Sequence, residues 1–248
     1  MKLIIIFILS VINLFAIITI APVNIGEKPG FSGELKGSFE TKRGNTDVDN
    51  YSAGLRAQYD NNSSYVVWSD FVFSYGEASG ETNTNKTYAH IRFVHKFLDF
   101  DVLNYEAFVQ SATNEFTNVK KKHLLGGGMR YHKDFHKYGN IYVGLGVFYE
   151  RVKYLTSNDP TERDARLNTY LSYTKSFSKE SKISYVMYFQ PNMKEFEDYI
   201  FSNAIELQVL IYKELYLNFV VYYDEDTQPA VGVETKDFTQ KTSLIFKF

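Results

Sequence analysis

Between residues 30 and 248 apolar and polar side chains trade places at every step, again and again. A side chain that changes face with each residue belongs to a β-strand, not to a helix. The clearest run sets Ile141, Val143, Leu145, Val147 and Tyr149 against Tyr142, Gly144, Gly146, Phe148 and Glu150. Leu167, Thr169, Leu171 and Tyr173 alternate with Arg166, Asn168, Tyr170 and Ser172. Leu215, Leu217, Phe219, Val221 and Tyr223 alternate with Tyr216, Asn218, Val220 and Tyr222, and Tyr51, Ala53, Leu55, Ala57 and Tyr59 with Ser52, Gly54, Arg56 and Gln58. No helical period of comparable strength survives beyond the N-terminal apolar segment.

The alternation predicts twelve strands, at 30–42, 48–59, 65–76, 87–98, 102–113, 122–135, 141–154, 165–177, 182–191, 199–211, 215–225 and 236–248. Each has at least the roughly 9–11 residues that a tilted strand needs to cross a bilayer's hydrocarbon layer. Pro22, Pro29, Pro160, Pro191 and Pro229 all fall before, between or at the ends of these strands. That is where a residue without a ladder N–H belongs. Turns after strands two, four, six, eight and ten read as short: Asn61-Asn62, Asp99-Phe100, Lys137-Tyr138-Gly139, Ser178-Lys179 and Tyr212-Lys213. Connections on the other side read as longer, as at Gly76 to Lys86, Thr156 to Asp164 and Asp224 to Thr235, with the Gly44-Asn45 hairpin as an exception. Short turns at one end and longer loops at the other are the organisation of a bacterial membrane barrel. The expected fold is therefore all-β: a transmembrane, antiparallel up-and-down β-barrel of about twelve strands over residues 22–248, rather than a soluble sandwich.

The two faces predict opposite surroundings. The outward set is Phe, Leu, Val, Ile, Tyr and Ala, with Tyr59, Tyr65, Tyr75, Tyr149 and Tyr223 near strand ends, where amphipathic rings suit the headgroup boundary. The inward set carries Glu34, Arg56, Asp70, Arg92, Glu106, Arg130, Arg166 and Glu206. An Arg or Lys facing lipid at the midplane would cost about 2–4 kcal/mol, so these charges are expected to line the lumen.

Residues 1–21 read as a secretory signal peptide: Lys2 supplies the positive charge, and an apolar run from Leu3 to Ala16 follows. Cleavage after Ala16 or Ala21 is expected. A helical anchor is the alternative, since Leu3 to Ile20 is long enough to span a bilayer, but no Lys/Arg cluster follows it. At the other end Leu244, Phe246 and Phe248 share one face of the last strand. Outer-membrane barrels as a class end on such an aromatic, which the assembly machinery reads. The expected location is the outer membrane of a Gram-negative-type bacterium. Expected partners are outer-membrane lipid, the barrel-assembly machinery and periplasmic chaperones during export.

Composition narrows the chemistry. Net charge is −2, from 27 basic and 29 acidic residues, and no basic stripe exists for a nucleic acid to sit on. With no Cys, the chain has neither disulfides nor thiolate metal sites. Mean hydropathy is −0.27, which in a barrel reflects only that every second residue faces lipid.

The stretch FSGELKGSFETKRGNTDVDNYSAGLRAQY at 31–59, two strands joined at Gly44-Asn45-Thr46-Asp47, resembles the start of the salt-induced outer-membrane protein family, domain of unknown function 481. YEAFVQSATNEFTNVKKKHLLGGGMRYH at 105–132, with its glycine triplet and Arg130, resembles the same family. The resemblance implies outer-membrane residence and carries no established activity, cofactor or metal.

Catalytic constellations are sparse. A nucleophile needs a base within hydrogen-bond reach. None of His90, His95, His123, His132 and His136 precedes Ser202-Asn203 closely on a strand, so a hydrolase is the third-ranked reading. Lipid-facing or interfacial positions account for the histidines. Gly126-Gly127-Gly128 lacks the Lys-Ser/Thr of a phosphate loop and opens a strand. Asp224, Glu225 and Asp226 read as a solvated loop, with weak divalent-cation binding as the alternative. No enzyme activity, cofactor or metal site is expected. The leading expectation is a non-enzymatic envelope protein such as a narrow passive channel. The second is a closed structural barrel whose outer loops bind a partner.

Overall fold

The computed structural model describes residues 22–42, 48–78, 80–98, 100–156, 160–178 and 180–248. The expected signal peptide at 1–21 and the expected Gly44-Asn45-Thr46-Asp47 turn lie outside these residues, as do Asp99 and Lys179 of two further expected turns.

Twelve strands form one closed antiparallel barrel: β1 (Gly30–Lys42), β2 (Val48–Asp60), β3 (Tyr65–Ala78), β4 (Glu81–Phe97), β5 (Phe100–Asn114), β6 (Val119–Asp134), β7 (Asn140–Tyr154), β8 (Glu162–Ser176), β9 (Lys182–Pro191), β10 (Tyr199–Tyr212), β11 (Leu215–Asp226) and β12 (Lys236–Lys247). Each pairs with its sequence neighbours, and β12 returns to β1. Closure joins the last strand to the first and so covers most of the sheet's edge, as a sheet in hydrocarbon requires.

Two connections differ from their expected length. The stretch from Gly76 to Lys86 is a ladder, not a long loop: Tyr75 pairs with Asn85, Gly76 with Thr84 and, past a bulge, Glu77 with Thr82. Thr82, Thr84 and Thr87 are β-branched residues that suit a pleated surface, and they extend β4 to Glu81. Between β5 and β6 a single 3-10 turn replaces a loop; the Asn114 side chain caps it by accepting from the Phe116 N–H at 3.2 Å. From β7 onward the connections 155–161, 192–198 and 227–235 are longer than 177–181 and 213–214 at the other end.

The closing seam is uneven. β1 and β2 pair along their whole length, from Gly30↔Asp60 to Lys42↔Val48. β1 and β12 pair only from Glu34↔Lys247 to Gly37↔Leu244. Below that, Gly33 and Phe248 exchange both backbone hydrogen bonds, at 2.8 and 3.0 Å. The Phe248 ring lies where a Cβ on residue 33 would be, so a side chain there would have to displace it.

The faces separate by residue parity. On β2 through β11 the covered side chains carry even numbers, such as Trp68, Arg92, Glu106, Arg130, Tyr142, Tyr170, Tyr188 and Asn218. On β12 the inward set is odd: Asp237, Ser243 and Ile245. The outer face is apolar and bare. Leu125 and Leu145 are each 63% exposed, and Phe71, Ile91, Ile205 and Phe246 are also exposed. A soluble protein rarely shows so continuous an apolar surface.

Candidate functional site: the inner face of the barrel

Mid-barrel, aromatic and charged side chains from many strands fill the lumen. Arg92 on β4 meets Glu106 on β5, its Nη1 lying 3.5 Å from Oε2. The Tyr170 hydroxyl on β8 donates to the same Glu106 oxygen at 3.1 Å, so this contact bridges β5 and β8. Tyr170 reaches inward because its register partner is Gly144, where any Cβ would collide with its ring. The Arg92 guanidinium sits 4.9 Å from the Phe108 ring centroid, 5.9 Å from Trp68 and 6.0 Å from Tyr170. A desolvated cation over an aromatic face is stabilised by about 2 kcal/mol. Tyr170 and Tyr188 pack with centroids 5.2 Å apart. Arg130 is 0% exposed; its guanidinium lies 5.3 Å from the Tyr142 centroid, and none of its three nitrogens finds a hydrogen-bond acceptor. On the far wall Val186, Ala204, Asn218 and Val220 are buried as well. The midsection from β3 to β11 is thus filled by side chains.

Polar clusters flank this layer on both sides. Toward the end without termini, Arg166 is held by four acceptors, the most distant being the Gln190 carbonyl at 3.4 Å. Its Nε donates to Glu150 Oε1 at 2.6 Å, its Nη2 approaches the Asp198 carboxylate at 2.9 Å, and its Nη1 donates to the Asp198 carbonyl at 3.2 Å. Lys122 Nζ takes the other Glu150 oxygen at 2.7 Å, and Asn192 Nδ2 donates to Asp198 at 2.8 Å. Toward the termini, Arg56 forks onto Asp70 at 2.6 and 3.1 Å. Glu34 lies 3.7 Å from Lys247 and 3.8 Å from Lys28. The Lys247 amine also donates to Gln208 and sits over the Tyr216 ring. The segment before β1 folds into this mouth: Val23 packs on Val66, Trp68 and Val94, and the Gly26 N–H donates to Asp60 at 2.8 Å. A cavity of about 190 Å³ remains there, and one of about 120 Å³ beside Glu150, Arg166, Asp224 and Asp237.

Of the charged residues singled out in the sequence, the fold brings together Arg56 with Asp70 and Arg92 with Glu106. It leaves Arg130 without a charged partner among the described residues' ion pairs, gives Arg166 two carboxylates that the sequence had not suggested, and places Glu206 half-buried on β10 opposite Val220 and Ser184. Leu244, Phe246 and Phe248 lie exposed in a row on the outer face, with the two Phe rings stacked at 6.3 Å.

Two histidines differ from the expected lipid-facing positions. His90 and His132 are buried inside: His90 is sandwiched between Tyr88 and Phe108, and His132 is stacked on Tyr142 at 4.6 Å. They share parity with Arg92 and Arg130, a signal present in the sequence. The acidic triplet also differs. Asp224, Glu225 and Asp226 belong to β11 rather than to a loop, so they point to alternate faces and do not converge on a cation. Among the described residues no group of three His, Asp or Glu side chains is arranged to hold a metal. Gly126 sits mid-strand where a Cβ would overlap Phe148 and Phe108, which accounts for part of the glycine triplet by packing.

A closed twelve-stranded sheet, apolar outside and charged inside, defines an outer-membrane-type β-barrel. Residues 37–248 match the family model described as a protein of unknown function, DUF481, and the chain belongs to that family. No curated protein matches the chain. Among solved structures, the COG4313 outer membrane channel from Pseudomonas putida F1 superposes with a TM-score of 0.57 at 10% identity, over 93% of this chain and 97% of that one. The translocator domain of the autotransporter NalP from Neisseria meningitidis gives 0.48 at 10% identity, over 90% of each chain. The NanC porin gives 0.49 at 10% identity, over 87% and 97%. The first of these supports the fold and nothing finer.

Proposed function

We propose that the protein is an integral outer-membrane barrel without enzymatic activity, whose lumen is shut at rest by its own side chains. The observation that carries this is the packed midsection: Trp68, Arg92, Arg130, Tyr142, Tyr170 and Tyr188 are each under a tenth exposed although they face the lumen. Membrane residence is supported by the inverted polarity of the wall, since exposed Leu125 and Leu145 are costly in water and cost nothing in hydrocarbon. On this reading the partners are outer-membrane lipid and, during biogenesis, periplasmic chaperones and the assembly machinery. The outward row Leu244, Phe246 and Phe248 is the part of the last strand offered to that machinery. Export through a cleaved signal peptide belongs to the same proposal.

Cell fractionation tests the placement. The protein is expected in the outer membrane, with gel mobility that shifts on boiling. Recovery from the periplasm without detergent would overturn it. A second reading, a gated narrow channel, is favoured by the charged cavities at both ends of the midsection. Displacing the Arg92–Glu106–Tyr170 contact would then join them. Voltage-dependent openings abolished by cross-linking β5 to β8 would support that reading.

A further inference from the structure

The barrel is not sealed along its whole height. Among the described residues, Ser38 to Lys42 of β1 keep ladder partners on β2 and Lys236 to Ser243 of β12 on β11, and no β1–β12 pair stands above Gly37↔Leu244. Continuing the register would set Phe39 opposite Thr242, yet the two do not pair. Unpaired strand edges facing hydrocarbon are costly, because lipid offers no hydrogen bonds; such edges persist where something polar reaches them. A cavity of about 590 Å³ lies here, within the roughly 300–1,000 Å³ of ligand pockets. It is lined both by inward residues, among them Lys36, Lys86 and Lys241, and by outward ones, among them Phe39 and Tyr51.

The lining is polarised. Lys241 Nζ crosses the gap to donate to Ser52 Oγ at 2.7 Å, and its like-charged neighbours are Lys86 and Lys36. Among the described residues lining the cavity there is no carboxylate. Asp224 and Asp237, which attract Lys86, line the adjoining end cavity instead. At the outer rim the Phe39 and Tyr51 rings pack at 5.1 Å and are 62% and 51% exposed. Among the described residues the inner lining is cationic and the outer rim aromatic.

We propose that this lateral opening binds a membrane amphiphile with an anionic headgroup. The headgroup enters between β1 and β12 to meet Lys36 and Lys241, and the acyl chains stay against Phe39 and Tyr51. The proposal rests on the membrane placement above, and its test monitors folding separately. The full chain, purified in zwitterionic detergent and checked for its heat-dependent mobility shift, is exposed to phosphatidic acid, to phosphatidylcholine with the same chains, and to inorganic phosphate. Retained ligand is read by native mass spectrometry. Phosphatidic acid should be retained and the other two should not. The Lys36→Gln/Lys241→Gln variant should lose roughly tenfold or more of that retention, as expected when charge-assisted contacts go. Because the chain has no native Cys, Ser38→Cys/Ser243→Cys, one step beyond the last β1–β12 pair and leaving Lys36, Lys241, Phe39 and Tyr51 in place, offers a reversible closure. Its disulfide should block retention and dithiothreitol should restore it. Equal retention of phosphatidylcholine, unchanged retention in the lysine variant, or retention indifferent to the disulfide would each overturn the proposal. Phosphate binding as tightly as the lipid would reduce it to an ion site with no lateral entry, which also overturns it.

Discussion

Arg166 and Arg130 are both arginines on the inner face, both buried, and in opposite condition. Arg166 is latched by Glu150 and Asp198, with the Asp198 carbonyl as a further acceptor. Arg130, fully buried, has the face of Tyr142 and no hydrogen-bond acceptor. A buried charge that keeps its partners is costly to disturb, whereas one without them adds little that an apolar side chain of similar volume would not. The difference teaches that the inner face contains two kinds of charge. One kind holds strands and loops together; the other fills space in the layer that shuts the lumen.

Removing the latch should have the largest effect. Arg166→Met leaves Asp198 with no cation and Glu150 with Lys122 alone, so unfolding in lipid vesicles followed by urea titration should show a loss of about 3–5 kcal/mol. A near-normal midpoint would mean that the cluster is not a latch. On the outer face, Leu145→Arg sets a charge against lipid and should cost about 2–4 kcal/mol in the same titration, leaving the inner clusters untouched. A neutral outcome there would invert the assignment of faces. The smallest effect belongs to Arg130→Met, expected within about 1 kcal/mol of the parent or more stable. A loss as large as that of Arg166→Met would show that Arg130 has a partner of comparable strength and would erase the comparison.

The sequence carries the wall better than it carries the contacts within. Alternation such as Ile141–Glu150 forces a strand and assigns each residue a face, because the side-chain period is two and a one-residue slip would turn every charge to the lipid. That is why Arg92, Arg130 and Arg166 could be expected inside before any coordinates. Partners across adjacent strands, such as Arg56 and Asp70, follow once register is known. What alternation cannot carry is a contact made by chain outside the ladder. Asp198 reaches Arg166 from the connection between β9 and β10, and Val23 reaches Trp68 from the segment before β1. Nor does it carry a bridge between strands that are not neighbours, as from Tyr170 on β8 to Glu106 on β5. The expected loop at Gly76–Lys86 differed for a related reason: a barrel ladder can continue past the apolar belt wherever β-branched residues such as Thr82 and Thr84 find partners, so the end of hydrophobic alternation is not the end of pairing.

The central claim is that the midsection built on Arg92, Glu106, Arg130, Tyr142 and Tyr170 shuts the lumen. Single-protein current recordings in planar bilayers at low applied voltage test it most directly. The account predicts no steady conductance from the folded wild-type protein, and none from Arg130→Met. A stable, ohmic current through wild-type protein at rest would contradict it.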